Sequence, residues 1–78
     1  MTHNIKCESE FYKSIDCGIK MFEVRKNDRN YQVYDRIYLI EVKEGVKTGR
    51  KTGPFVIKYI LKGGQFGIDP EYIVMQLA

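Results

Sequence analysis

A chain of 78 residues, 44% hydrophobic and with a formal charge of +3, makes one small domain with a thin core. No apolar run is long enough to cross a membrane as a helix, and the net charge is too modest to prove a polyanionic partner by itself. Cys7 and Cys17 have no metal-spaced companions and do not make a disulfide framework, so both are expected as small core residues of a soluble, cytosolic protein.

Residues 3–7 predict a short first strand with Ile5 and Cys7 on one face and Lys6 on the other. Residues 9–17 predict a helix. Ser9 stands at the N-cap, Glu10 favours the first turn, and Gly18 stops the helix. Phe11, Ile15 and Ile19 recur at four-residue spacing beside Tyr12, and so short a helix needs a sheet to pack on.

Residues 20–26 predict a second strand. Phe22 and Val24 fall on one face, Met21, Glu23 and Arg25 on the other, and such a strand is usually half buried. Opposite charges two residues apart can hold a guanidinium still, and a held guanidinium suits a phosphate, a carboxylate or a base edge. Asn27-Asp28-Arg29-Asn30 is turn chemistry.

Residues 36–43 predict a strong third strand. Glu44-Gly45 through Thr52-Gly53 reads as a polar hairpin tip with three glycines. Residues 55–62 predict a fourth strand with Phe55, Ile57, Tyr59 and Leu61 on one face, and 71–77 a last strand after the Gly63-Gly64-Gln65-Phe66-Gly67 loop. Between 43 and 62, Lys43, Lys47, Arg50, Lys51, Lys58 and Lys62 face Glu44 alone. This basic stripe fits a nucleic-acid footprint or a solvated, aggregation-resistant hairpin equally well. One helix and five short strands imply an α+β, mainly β domain spanning residues 1–78: a curled, mostly antiparallel sheet or partly open barrel. The crossover through the helix would let strands one and two pair in parallel.

Several residues are candidates for a site. Lys20 stands at the start of the second strand, able to swing into a cleft. Glu23 can orient Arg25 or Lys20 toward a ligand. Lys26 and Arg29 can contact phosphates, and Asn27 offers an amide to a base. His3, the only histidine, cannot make a metal site alone and suits a satisfied polar role at a strand start. Most of the tyrosines are needed in the core, with Tyr34 and Phe66 the exposed aromatics.

The spacing Gly18, Lys20, Phe22, Glu23, Arg25, Lys26, Asn27, Asp28, Arg29, with His3 and Lys6 before it and Tyr59 to Gly64 and Tyr72 to Met75 after it, resembles the ASCH domains of the PUA-like superfamily. It is most similar to a compact branch of small uncharacterised phage and bacterial proteins. The resemblance covers nearly the whole chain and implies a five- or six-stranded β-barrel, with the helix after the first strand and a cleft beside the motif strand. It implies RNA or a modified nucleotide as partner, with DNA possible and no cofactor. The residues carrying this would be Lys6, Lys20, Glu23, Arg25, Lys26, Asn27 and Arg29. Some ASCH proteins are amidohydrolases of acetylated cytidine. Here Lys20 fits their lysine, but Glu23 replaces their threonine, leaving Lys20 and Glu23 as the catalytic pair of a less favoured enzyme reading. A phage accessory protein that binds a host protein is a third possibility. One departure stands out: the Val-Gly-Asp turn of the pattern is Val33-Tyr34-Asp35, which puts strain on Tyr34 if the glycine supplies a positive φ.

Overall fold

The computed structural model describes residues 1–78. Five strands and one helix follow in the order β1 (Thr2–Glu8), α1 (Ser9–Asp16), β2 (Phe22–Lys26), β3 (Arg36–Lys43), β4 (Val46–Lys62) and β5 (Tyr72–Leu77). They form one mixed sheet in the spatial order β1-β3-β4-β5-β2. β1 pairs in parallel with β3, while β3–β4, β4–β5 and β5–β2 are antiparallel. The expected parallel pairing of strands one and two is therefore replaced by pairing of β1 with β3, across α1 and β2. No helix is long and apolar enough to cross a membrane.

The sheet is not closed into a barrel, because β1 and β2 are its two edges and share no backbone ladder. Side chains bridge the gap instead. Arg25 on β2 donates from Nη2 to the Lys6 carbonyl of β1, and Arg29 Nη1 donates to the Asn4 carbonyl at 2.9 Å. Carbonyls two residues apart on a strand point the same way, so both arginines reach the edge of β1 that faces away from β3.

The core lies inside the curl, with Ile5, Ile37, Leu39, Ile57 and Met75 at its centre and Tyr12, Ile15, Tyr31, Ile73 and Leu77 around them. The alternation of β1 holds: His3, Ile5 and Cys7 point in and their neighbours point out. β4 departs most from expectation. The supposed hairpin tip is only the turn at Glu44-Gly45, and residues 46–53 already belong to the strand. Glycine and polar content suggested a loop there, but pairing with β3 supplies the ladder. Extra residues on β4 between its pairings at Lys47 and Lys51, and again between Thr52 and Phe55, bend it. Gly53 permits this, with φ at +121° and its backbone so close to β3 that a Cβ would lie 2.7 Å from the Ile37 carbonyl oxygen. A further irregularity between Ile57 and Tyr59 flips the alternation. Ile57 is buried and Ile60 packs on the core, whereas Tyr59, expected beside Ile57, is 60% exposed.

The helix starts without a side-chain cap. Glu8 occupies the cap position, and Ser9 Oγ donates at 3.0 Å to Glu41 instead. Ser9 is the first helical residue, one position past the cap, and its hydroxyl turns to the buried carboxylate of Glu41. Gly18 takes φ +82° just past the end, as expected, and its N–H reaches the Ile15 carbonyl at 3.0 Å. Only Tyr12 and Ile15 of the apolar stripe are buried. Phe11 and Ile19 remain exposed, and so does Cys17, contrary to its expected core position. Eight residues bury one narrow face, and that face is filled by Tyr12 and Ile15.

Two more polar clusters hold the frame. Glu41 on β3 is buried and also accepts from Thr48 Oγ1 at 2.6 Å; these hydroxyl bonds, led by Thr48, hold its pKa below the usual carboxylate range. Asp35, at the start of β3, accepts from His3 Nε2 at 2.8 Å, from the Gln32 N–H at 3.1 Å and from the Met1 amino group at 3.0 Å. The His3 bond is the main cause that lowers Asp35 to a pKa of about 2. His3 packs its ring 4.6 Å from that of Tyr31 and is a satisfied interior group. Tyr34 does adopt φ +75°, with its side chain 75% exposed, so the departure from glycine leaves a non-glycine residue in left-handed backbone.

Candidate functional site

The unpaired seam between β1 and β2 opens as a groove of about 630 Å³, inside the size range of small-ligand sites. One wall is Lys6, Cys7 and Glu8 of β1, and the other is Phe22 to Arg25 of β2. Phe11 and Lys20 close the helix end, and Val42 and Gly45 close the β3–β4 end.

β2 is positioned by antiparallel pairing with β5, Glu23 opposite Met75 and Arg25 opposite Ile73. That register puts the charged face inward. Glu23 is 5% exposed, while Phe22 and Val24 are 46% and 51% exposed. Alternation by itself favours burying Phe22 and Val24. The opposite outcome holds because both Glu23 oxygens find cations. Lys20 Nζ donates to Oε1 at 3.2 Å and Arg25 Nε to Oε2 at 2.9 Å. A buried carboxylate without such partners would be costly, about 3–5 kcal/mol when one member of a buried pair is missing.

Lys20 Nζ also donates to the Phe22 carbonyl at 2.9 Å. Its ammonium lies 5.3 Å from the Phe11 ring centroid and 4.8 Å from that of Phe22, cation–π distances for both. The groove therefore presents two half-exposed phenylalanine rings around a held ammonium, above an anionic floor. Cys7 adds no nucleophile. Burial, reinforced by the Glu23 charge, pushes its thiol up to about 11, so it stays protonated at neutral pH.

The structure brings Lys6, Lys20, Glu23 and Arg25 together at the groove and leaves Lys26, Asn27 and Arg29 outside its lining. Lys26 sits 3.7 Å from Glu71 on the exposed surface, and Asn27 Oδ1 accepts the Tyr31 N–H at 3.2 Å, the turn-forming role open to any asparagine. Arg29 bridges to β1. Arg25 combines seam closure with the orientation by Glu23 expected of it. Sequence reasoning missed Phe11 as a groove residue. The available signal was a surplus: Phe11, Tyr12, Ile15 and Ile19 offer more apolar area than a helix this short can bury on one face.

Fold and groove define a small mixed-sheet α+β module whose ligand-sized opening lies where its two edge strands fail to pair. The chain belongs to the family described as Domain of unknown function (DUF3850), whose pattern matches residues 2–77. It is similar to the "Uncharacterized 12.9 kDa protein in GpA 3'region" of Escherichia phage P2, 41% identical over 49 residues that span 63% of this chain and 45% of that protein. The match thus spans less than half of that relative's length. These matches agree with the expected kinship to uncharacterised phage proteins.

Proposed function

We propose that this protein is a nucleic-acid-binding module of PUA-like, ASCH-related type, acting on single-stranded RNA, and that the β1–β2 groove takes an unstacked base. The observation that carries this reading is the pair of half-exposed rings, Phe11 and Phe22, set around the Lys20 ammonium in an open groove. An exposed aromatic pair beside a held cation is a stacking platform, and stacking is worth about 1–3 kcal/mol per base. The surroundings support it. Exposed Lys6 stands on the rim, and exposed Lys43 and Lys47 flank the Glu44-Gly45 turn at the far end. Lys51, Lys58 and Lys62 continue the charge along β4 as a track for the phosphate backbone. Lys20 donates to two acceptors, which holds its head group at the groove in a position that suits binding.

Fluorescence anisotropy with labelled single-stranded RNA, single-stranded DNA and duplexes at two salt concentrations tests the proposal. Tightest binding to single strands, weakening with salt, is expected. Phe11→Ala/Phe22→Ala, a change of half-exposed side chains that leaves the core intact, should weaken binding by about 1–3 kcal/mol or more. Lys43→Gln/Lys47→Gln should flatten the salt dependence, since each phosphate contact on a single strand contributes about 0.7 to the log–log slope. Absence of binding at low salt, or binding indifferent to both double variants, would remove the groove from consideration.

A further inference from the structure

The floor of the groove carries hydrogen-bonding capacity that the fold leaves unused. Each oxygen of the Glu23 carboxylate accepts one bond from the protein, Oε1 from Lys20 and Oε2 from Arg25. A carboxylate has about four lone-pair sites in all. One site on each oxygen is therefore left in a side chain that lines the groove. Such a pair of acceptors calls for two adjacent N–H donors on one rigid edge.

Among the common bases only guanine has that edge. Its N1–H and N2–H₂ are neighbouring donors, with the O6 acceptor beside N1 and the N3 acceptor beside N2. Cytosine and adenine each place a ring nitrogen acceptor beside their single amino group, which would face the carboxylate repulsively. Uracil offers one N–H between two carbonyls, and both carbonyls would face like charge. The flanking cations extend the match. Lys20 Nζ, which donates to Oε1 at 3.2 Å and to the Phe22 carbonyl, keeps one N–H for an acceptor such as O6. Arg25, whose Nε–H is taken by Oε2 at 2.9 Å and whose Nη2 reaches the Lys6 carbonyl, keeps its Nη1 donors for an acceptor such as N3. The Phe11 and Phe22 rings then border the base from the groove walls.

We infer that the groove selects guanine, with Glu23 reading its N1–H and N2–H₂ and with Lys20 and Arg25 answering its acceptors. The inference rests on the groove being a base-binding site. The same chemistry is presented by a guanine in a single strand and by a free guanine nucleotide.

The test compares short labelled RNAs that carry one guanosine, inosine, adenosine or uridine in a constant uridine background. Inosine keeps N1–H and O6 and lacks only the N2 amino group. Wild-type protein is expected to bind the guanosine RNA about fivefold or more tighter than the inosine RNA, the lower end of discrimination by a bidentate pair. Adenosine and uridine should fall further behind. Glu23→Gln, checked for folding by thermal melting, should bring the four RNAs together, since an amide presents one acceptor and one donor. Should that variant fail to fold, the guanosine-to-inosine ratio on wild type decides alone. Competition by guanosine monophosphate identifies the source: displacement at concentrations equal to the RNA assigns the site to a free nucleotide, and displacement only at large excess assigns it to a strand. Equal affinity of wild type for guanosine and inosine RNAs overturns the inference while leaving base binding intact. No binding of any RNA or of the nucleotide overturns both.

Discussion

One side of this molecule is closed by backbone and the other by side chains. Across β3, β4 and β5 every strand has a ladder on both edges for at least part of its length, and the shared core residues Ile37, Leu39, Ile57 and Met75 lie on it. Between β1 and β2 there is no ladder, and Arg25 and Arg29 hold the edges in place. Backbone closure leaves no room between strands, because ladders hold them about 4.8 Å apart. Side-chain closure spaces the strands by the length of an arginine and so leaves a groove. The opening in this fold exists because its seam is made of long polar side chains.

The largest expected effect lies on the ladder side. Ile57→Ala removes a fully buried side chain from the strand that joins both halves of the sheet, and should cost about 2–5 kcal/mol in urea unfolding. A loss below about 1 kcal/mol would contradict the burial of Ile57 at the junction of the two halves of the sheet.

On the seam side, Arg25→Met keeps the aliphatic stem but removes the donors to Glu23 and to the Lys6 carbonyl. The expected cost is about 1.5–3 kcal/mol, the range for bonds to charged groups. Its signature is regional. Amides of β1 and β2 should exchange with solvent faster, while those of β3 and β5 keep their protection. Uniform acceleration across all five strands would contradict the division between the two sides.

A third effect is pH-dependent and tests the other tie of β1, the His3–Asp35 bond. Asp35 has its pKa lowered from 3.8 to about 2 in the folded protein. A depressed carboxylate stabilises the fold at pH above its unfolded value and loses that contribution as pH falls through its folded value. Stability should therefore fall between about pH 4 and pH 2, and Asp35→Asn should flatten that part of the profile. An unchanged acid limb in the variant would assign acid sensitivity to other carboxylates, Glu41 first among them.

The smallest effect is a gain. Tyr34 holds φ +75° with its ring in solvent, so Tyr34→Gly should relieve left-handed strain of about 1–2 kcal/mol, offset by about 0.5–1 kcal/mol of glycine backbone entropy. A net rise in melting temperature of a few degrees is expected, with the seam unaffected. A fall would show that the Tyr34 ring makes a contribution its exposure conceals.

Much of the local structure was legible beforehand. Arg36–Lys43 forms the strand expected of it, and the last strand and the helix end at Gly18 fall within a residue or two of expectation. These segments announce themselves through short-range signals: β-branched runs, a left-handed glycine, a clear alternation. The long β4 was not legible, because Gly49 and Gly53 look like loop residues when their partner strand is unknown and turn out to sit where the strand bends. The site was half legible. The motif marked Lys20, Glu23 and Arg25 correctly as a charged cluster, but Lys26, Asn27 and Arg29 lie outside the groove and Phe11 lies in it.

By itself, then, the sequence determined the inventory: one short helix, five strands, a thin core, a cluster of opposite charges and a basic stretch from 43 to 62. Those follow from propensity, periodicity and the positions of glycine, which act over a few residues. The tertiary structure alone decided that β1 pairs with β3 and β2 with β5, that the seam between them stays open, and that the charged face of β2 turns inward. Each of these depends on groups far apart in the chain. Lys6 and Arg25 meet across 19 positions, and His3 and Asp35 across 32. A buried carboxylate is tolerable only where its cations converge in space, and no local pattern encodes that convergence.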